Sequence, residues 1–499
     1  MLPVTSRFWS PRLAGNALWL GLAGLIEYGL QVILPIVLVR ELTIQEFGDY
    51  RAVWLLIATV IAVAPFYLPQ VLFYFIPRSR PDEAASHIAS ASLVLNLAGL
   101  MTALMVYCFR EHLSHVLPPT LDHPVIVLAF LAAWVPAALL DTLANAQGKP
   151  RIQALITIAI AALRTILIGG AAVAFDGANP VFFAMLGLAL CKLATLPLIN
   201  VNTIAWCKTS ITVIREQLSY AAPFAIANAL FLLRLQIDQW IVITRFSTTV
   251  FAAFSIAVVA VSFSNLVRQP IVNAFMPAIS SLLGQGRRHE ATELIRRSFA
   301  CLGLSLAPFV GLLLVIAPEL VSLVYTTRYA EAAPIMQLYL LGQLATIFGG
   351  GHLLVVVGLG GEAVRISAAA LLAAITVGYL GATWLGPLGA ALGSVSGLLV
   401  GEILALRRAA RALSIPVRSL ANVEAASRAL LSALISVASA LAILMAVFPG
   451  AGSVTRIFVG AAIYVFVLCV CGTLVGVHSV VRDMWKTLHS KTGEDNENP

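Results

Sequence analysis

Apolar runs of about 18 residues or more recur along the whole of this chain, each long enough to cross a hydrocarbon core of about 30 Å as a helix. Lipid offers backbone amides no water to bond with, so such runs must fold into helices that satisfy their own N–H and C=O groups. With 60% hydrophobic and 11% charged residues, and a mean hydropathy of +0.94, the chain carries about half the charged fraction of soluble domains. It reads as an all-α polytopic membrane protein with no soluble domain between its runs. The first run begins near Gly15 after "MLPVTSRFWSPR". It is too long for a signal-peptide core and lacks a small-residue cleavage site, so it is expected to stay as the first span.

Charges, Gly and Pro bound fourteen expected spans, near 15–39, 52–77, 88–109, 124–147, 152–175, 180–206, 217–243, 250–276, 298–325, 332–357, 364–384, 387–406, 427–448 and 457–479. Cytoplasmic loops carry the excess of Lys and Arg. Of the 31 such residues, 20 fall in the N-terminus, the even-numbered loops and the tail, against 6 in the odd-numbered loops. Both termini are therefore expected on the cytoplasmic side, with a polar, disordered tail. The formal charge of +8 is dispersed among spans, which argues against nucleic acid as a partner. The segments "GRRHEATELIRRS" (286–298) and "LRRAARALSIPVRSL" (406–420) are basic and amphipathic, suited to membrane lipid headgroups.

Six cysteines show no metal-ligand spacing, and His112, His115 and His123 share one loop without ligand partners, so no metal site is expected. Without a sizeable external loop to hold catalytic groups, an enzyme such as a membrane glycosyltransferase or polymerase is disfavoured.

The chain repeats itself. Residues 31–53 slid by 205 onto 236–258 give seven identities in 23, among them Gln31 with Gln236 and Arg40 with Arg245, and "RPDEA" (80–84) aligns with "RRHEA" (287–291). Six spans separate the copies, an even number that restores orientation. The expected architecture is therefore two six-helix bundles related by a pseudo-two-fold axis along the membrane normal, with a site between them, plus two extra C-terminal helices. The domains would be an N-terminal bundle over 1–206, a C-terminal bundle over 207–410, a linker with spans 13 and 14 over 411–480, and a cytoplasmic tail over 481–499.

Glu27, Arg164, Lys192, Arg234, Asp238 and Arg268 lie inside spans. A cation at mid-membrane costs about 2.5–3.5 kcal/mol, so these side chains should face a polar interior. On span 8, Ser262, Asn265, Arg268, Gln269 and Asn273 form one polar stripe, and Glu27 and Gln31 share a face of span 1. Four cations against two acids would attract phosphate-type anions. The structural alternatives are that Arg234 and Asp238, at i and i+4, neutralise each other, that Arg164 pairs with Glu27, and that Lys192 bonds to a neighbouring helix's carbonyls. Helix-breaking Pro35, Pro65, Pro69, Pro223, Pro270 and Pro308, with Gly169–Gly170 and Gly349–Gly351, fit cavity-lining or moving helices.

The stretch "VRELTIQEFGDY" (39–50) resembles the first-loop signature of polysaccharide biosynthesis transporters, the Wzx-type branch of the multidrug/oligosaccharidyl-lipid/polysaccharide exporter superfamily, through Arg40, Glu46, Phe47, Gly48 and Tyr50. "LTI" stands where Leu-Gly-Pro is more usual. "LQIDQWIVITRF", "MPAISSLLGQGRRHEA", "TTRYAEAAPIMQLYLLG" and "GPLGAALGSVSGLLVGEILAL" are similar to that family's spans 7, 8, 10 and 12 with their flanks.

The resemblance implies alternating access and a flippase that carries undecaprenyl-pyrophosphate-linked oligosaccharide, such as an O-antigen, capsule or exopolysaccharide repeat unit, across the bacterial inner membrane. On that basis Arg268 and Arg234, helped by Lys192 and Arg164, would bind the pyrophosphate. Asp238 or Glu27 would couple H+ or Na+, with no other cofactor. Asn265, Gln269, Asn273 and Gln31 would line the cavity. Arg40, Glu46, Phe47, Gly48 and Tyr50 would form a tight periplasmic hairpin whose charges stay in water and serve topology or an outer gate. Partners would be the polyprenyl-linked glycan, membrane lipids, a polysaccharide polymerase and glycosyltransferases. The alternatives are a lipid II flippase, whose cargo also carries pyrophosphate, and a drug or metabolite antiporter, for which the basic excess is the wrong sign.

Overall fold

The computed structural model describes residues 11–114, 124–420 and 423–474. His115 and His123, the end of span 14 and the tail over 481–499 lie outside the described residues. Among the described residues every regular element is helical. Among the described residues thirteen helices are long and apolar enough to cross a membrane, and fourteen if a pair bent by 48°, Ile211–Arg234 with Ile237–Arg245, is counted as one span.

The chain divides into two compact units. One runs through Gln236 and includes Ile243–Ala252; the other comprises Ile237–Val242 and the chain from Ala253 onward. In the first unit, Pro11–Glu41 packs along Pro150–Ala174, and Pro81–Cys108 and Asn179–Ile199 both pack on Pro124–Ala137. Leu68, Val71, Leu72 and Phe75 fill its core with Ile88, Leu95, Val135 and Leu139.

In the second unit the tightest pair is Gly360–Leu385 with Pro387–Leu413. Gly389, Gly393 and Gly397 recur every four residues, one ridge on the helix, and a Cβ on Gly389 would run into the Gly381 carbonyl. Where both sides are lipid-like, such close backbone approach replaces the hydrophobic effect as the source of helix association. The two C-terminal helices, Val423–Val447 and Ser453–Leu474, dock on the 37-residue helix Arg288–Val324. There Tyr464 covers Gly311 and its hydroxyl donates to the Pro308 carbonyl at 2.9 Å, while Arg456 Nε meets Glu319 Oε1 at 2.7 Å. The basic segment from 288 belongs to this same helix as its first turns.

The internal repeat carries into local structure. Span 1 ends at Glu41, and the next helix starts at Ile44 with Thr43 as cap; the helix ending at Arg245 is followed by one starting at Thr248, where the Val250 amide donates to Ser247 Oγ at 3.4 Å. Helices Pro81–Cys108 and Arg288–Val324 each begin one residue after the aligned arginine, Arg80 or Arg287.

Among the described residues five spans are interrupted, span 8 only by the single residue Val258 between Thr248–Ala257 and Val259–Gly284. Phe66 and Tyr67 take φ of 48° and 61° between Val63 and Leu68. Span 4 passes from Pro124–Ala137 through a 3-10 turn, Ala138–Asp141, to Leu143–Ala146. Span 7 bends between Arg234 and Ile237, and span 10 breaks at Gly349, with φ of 49°, before Gly350–Val356. Gly169–Gly170, by contrast, lies inside the continuous helix Pro150–Ala174, where Gly169 faces Leu34 and Val37 of span 1 and a Cβ would meet them in ordinary contact at 3.8 Å. Pro35, Pro223, Pro270 and Pro308 also sit inside continuous helices.

Gly389→Ala should lower the thermal unfolding midpoint in detergent, at a cost of about 1–3 kcal/mol from overpacking. Gly170→Ala, whose Cβ meets nothing within 4 Å, should leave that midpoint unchanged or slightly raised.

Candidate functional site

In the second unit the polar stripe of span 8 is wired together. Arg268 donates from Nη2 to Asn265 Oδ1 at 2.8 Å and from Nε to the same oxygen at 3.3 Å, while Nη1 lies 2.8 Å from His352 Nε2. A guanidinium only donates, so His352 accepts through Nε2 and its proton resides on Nδ1. One turn on, Gln269 Nε2 donates to Asn273 Oδ1 at 3.0 Å. His352 stands just past the Gly349 break, where the Gly350 amide donates to Glu402 Oε2 at 2.7 Å. The break therefore presents an imidazole to the arginine and anchors its own backbone on span 12.

Asp238 is 1% exposed, in the first turn of Ile237–Arg245. The Tyr339 hydroxyl donates to its Oδ2, and the Gln239 amide donates to Oδ1 at 2.7 Å. The helix N-terminus favours a carboxylate there. Its oxygens thus have neutral donors, which is how a buried acid avoids the cost of an unmade hydrogen bond.

In the first unit Arg234 is buried and lies over the Phe231 ring, 5.4 Å from its centroid. Lys192 is also buried; its Nζ meets Asp141 Oδ2 at 2.8 Å and sits 4.5 Å from the Trp134 centroid. Lys192 therefore bonds to a carboxylate and a ring, not to helix carbonyls, and no longer adds to the positive excess that the sequence places at mid-membrane. Arg164 behaves differently. Its Nε and Nη2 are buried and have no hydrogen-bond partner, while Arg164 and Arg51 both lie within electrostatic reach of Tyr50. The alternative of an Arg164–Glu27 pair does not form; Glu27 Oε1 instead accepts from Gln31 Nε2 at 3.2 Å on its own helix.

The hairpin differs from expectation in its charges. Arg40 and Glu41 are exposed, but Asp49 is buried and accepts from Gln45 Nε2 at 3.2 Å. Glu46 folds back to accept from the Thr43 amide at 2.9 Å while the Glu46 amide donates to Thr43 Oγ1 at 3.2 Å, a reciprocal cap. Phe47 and Tyr50 are buried, Tyr50 stacking on Trp54 with centroids 6.5 Å apart. Gly48 is pressed against the Thr248 backbone: a Cβ there would lie 2.5 Å from its carbonyl oxygen.

Sequence reasoning missed Asp141, His352 and Tyr339. Asp141 carried a readable signal, an acid inside the expected fourth span. His352 and Tyr339 carried none beyond their polarity. Among the described residues no group of three His, Cys, Asp or Glu could hold a metal ion, and the cysteines are free.

Comparison with solved structures gives the fold a place. The lipid II flippase MurJ in an inward closed conformation matches with a TM-score of 0.65 at 13% identity, covering 91% of this chain and 98% of that one. An inward-facing multidrug resistance MATE family transporter of the MOP superfamily matches with a TM-score of 0.60 at 14% identity, over 78% and 94%. The Vibrio cholerae MATE transporter VcmN in its bent form matches with a TM-score of 0.53 at 16% identity, over 81% and 98%. A search of curated protein sequences finds no match. The family model described as polysaccharide biosynthesis protein matches residues 37–334, well over half of the chain. A multi-pass, all-helical membrane protein with the fold shared by those flippases and transporters, this chain belongs to the polysaccharide biosynthesis protein family.

Proposed function

We propose that this protein is a flippase that moves a polyprenyl-pyrophosphate-linked oligosaccharide from the cytoplasmic to the periplasmic leaflet of a bacterial inner membrane by alternating access. The observation that carries this function is Arg164, whose guanidinium has two buried nitrogens without a hydrogen-bond partner. A buried donor left unmade costs about 1–3 kcal/mol, and more when charged, so the site is built for an anion that comes and goes. Arg51 near the same tyrosine adds positive charge. Arg268 in the second unit, held by Asn265 and His352, presents a second oriented guanidinium suited to a phosphate group. Membership of the polysaccharide biosynthesis family supplies the class of cargo, and the fold shared with MurJ supports a lipid-linked one.

Lys192 and Arg234 stand as auxiliary cations. Asp238, buried and bonded to Tyr339, is the stronger candidate for coupling to H+ or Na+; Glu27 is less enclosed. Nothing in this scheme requires a reaction at the glycan, so no enzymatic step is assigned.

In proteoliposomes, Arg164→Ala and Arg268→Ala should each slow flipping of an undecaprenyl-pyrophosphate oligosaccharide by at least about tenfold, with membrane insertion unchanged. Wild-type flipping rates in both variants would overturn the anion site. Asp238→Asn should abolish the response of flipping to an imposed proton or sodium gradient; an unchanged response would remove Asp238 from coupling.

A further inference from the structure

The Lys192–Asp141 pair is lopsided. The lysine side chain is 4% exposed and the aspartate side chain 59% exposed. Lys192 lies within the continuous helix Asn179–Ile199, its ammonium confined between the Trp134 ring and Asp141. Trp134 is in turn held by stacking on Phe130, with centroids 5.1 Å apart.

Asp141 instead ends the 3-10 turn that interrupts span 4. That turn has its own support: Gln153 Nε2 donates to the Leu140 carbonyl at 3.1 Å, and Thr142 Oγ1 donates to the Pro69 carbonyl at 3.1 Å. Neither bond involves the Asp141 carboxylate, so the break does not depend on the ion pair. Only Oδ2 of Asp141 meets the ammonium, and the exposed remainder must face water, since an exposed carboxylate against lipid would be costly.

A buried ammonium needs an anion at all times, whereas a largely exposed carboxylate does not need the ammonium. An ammonium has three donors, and Asp141 together with the Trp134 ring leaves room for more. We infer that Asp141 is a resident stand-in for the cargo's phosphate: it neutralises Lys192 in the empty protein and is displaced when a diphosphate group arrives. Asp141 then sets the threshold for binding, because a ligand must outbid a carboxylate already in place. A diphosphate, with more charge and more acceptor oxygens than one carboxylate, does so; a neutral lipid does not. Asp141 also speeds release by reclaiming the lysine. The assignment rests on the anion transport proposed above and extends it to a named competitor within the protein.

The probe is inorganic pyrophosphate, titrated at constant ionic strength into the full chain in nanodiscs of uncharged phosphatidylcholine. Asp141→Asn should bind it about tenfold more tightly than wild type, Asp141→Glu should match wild type, and Asp141→Asn with Lys192→Met should lose the gain. In flipping assays Asp141→Asn should lower KM and kcat together, since release slows. A measurement on unaltered protein covers the event that Asp141→Asn fails to fold: carbodiimide labelling of Asp141, read by mass spectrometry, should rise when pyrophosphate is added. Equal affinity in wild type and Asp141→Asn, or labelling that pyrophosphate does not change in protein that binds it, overturns the stand-in while leaving the transport function untouched. Absence of pyrophosphate binding in wild type and Asp141→Asn alike overturns both.

Discussion

The demand that every backbone amide inside lipid find a partner organises this molecule. A continuous helix meets it automatically; an interruption meets it only where side chains or neighbouring backbone take over. At the span 4 break Gln153 does this twice, donating to Leu140 and accepting from the Asn145 amide at 3.4 Å. At the span 10 break Glu402 receives the Gly350 amide. Three of the interruptions carry an ionisable group: Asp141 at the end of the 3-10 turn, Asp238 just after the bend, His352 just after Gly349. Irregular backbone is tolerated at membrane depth only where the surroundings are polar, and ionisable side chains need the same surroundings. Their coincidence has one physical cause.

The two units use their cations in contrasting ways. Arg268 is oriented by neutral partners on spans 8 and 10, Lys192 is neutralised by Asp141, and Arg164 keeps two buried nitrogens open. On the function proposed above, an anion in the first unit would meet Arg164 directly and would have to displace a carboxylate to reach Lys192. Graded availability of this kind would let an anion be gripped and let go.

The spans were legible because hydropathy over about twenty residues is a large, additive signal: each expected run corresponds to a helix or a broken helix in the same order. The stripe of Asn265, Arg268, Gln269 and Asn273 was legible for a similar reason, since helical periodicity alone puts those residues on one face. Pairings across helices were not. Nothing in the periodicity of span 6 says that Lys192 meets Asp141, because the meeting depends on where span 4 unwinds, and Pro136 with a short run of small residues only hints at that. His352 follows three glycines, and nothing in the sequence around it marks a partner for its ring. The Thr43-x-x-Glu46 box stands in the sequence, but charges between two spans have a topological explanation that needs no geometry.

The helix Arg288–Val324 spans 37 residues, about 55 Å, against a hydrocarbon core of about 30 Å. Its first turns are ringed by paired charges, Arg287 with Glu290, and Arg296 and Arg297 with Glu293, and it grips the C-terminal helix through Tyr464 and Arg456 further along. That clamp grips it at Pro308 and Glu319, and nearer its start Ile295 and Phe299 are buried against Leu406, Leu413 and Leu420, so the rod is anchored at both of these levels. A single unbroken helix held in this way moves as one body, so a shift of the C-terminal pair deep in the bilayer is passed directly to the charged turns at its start.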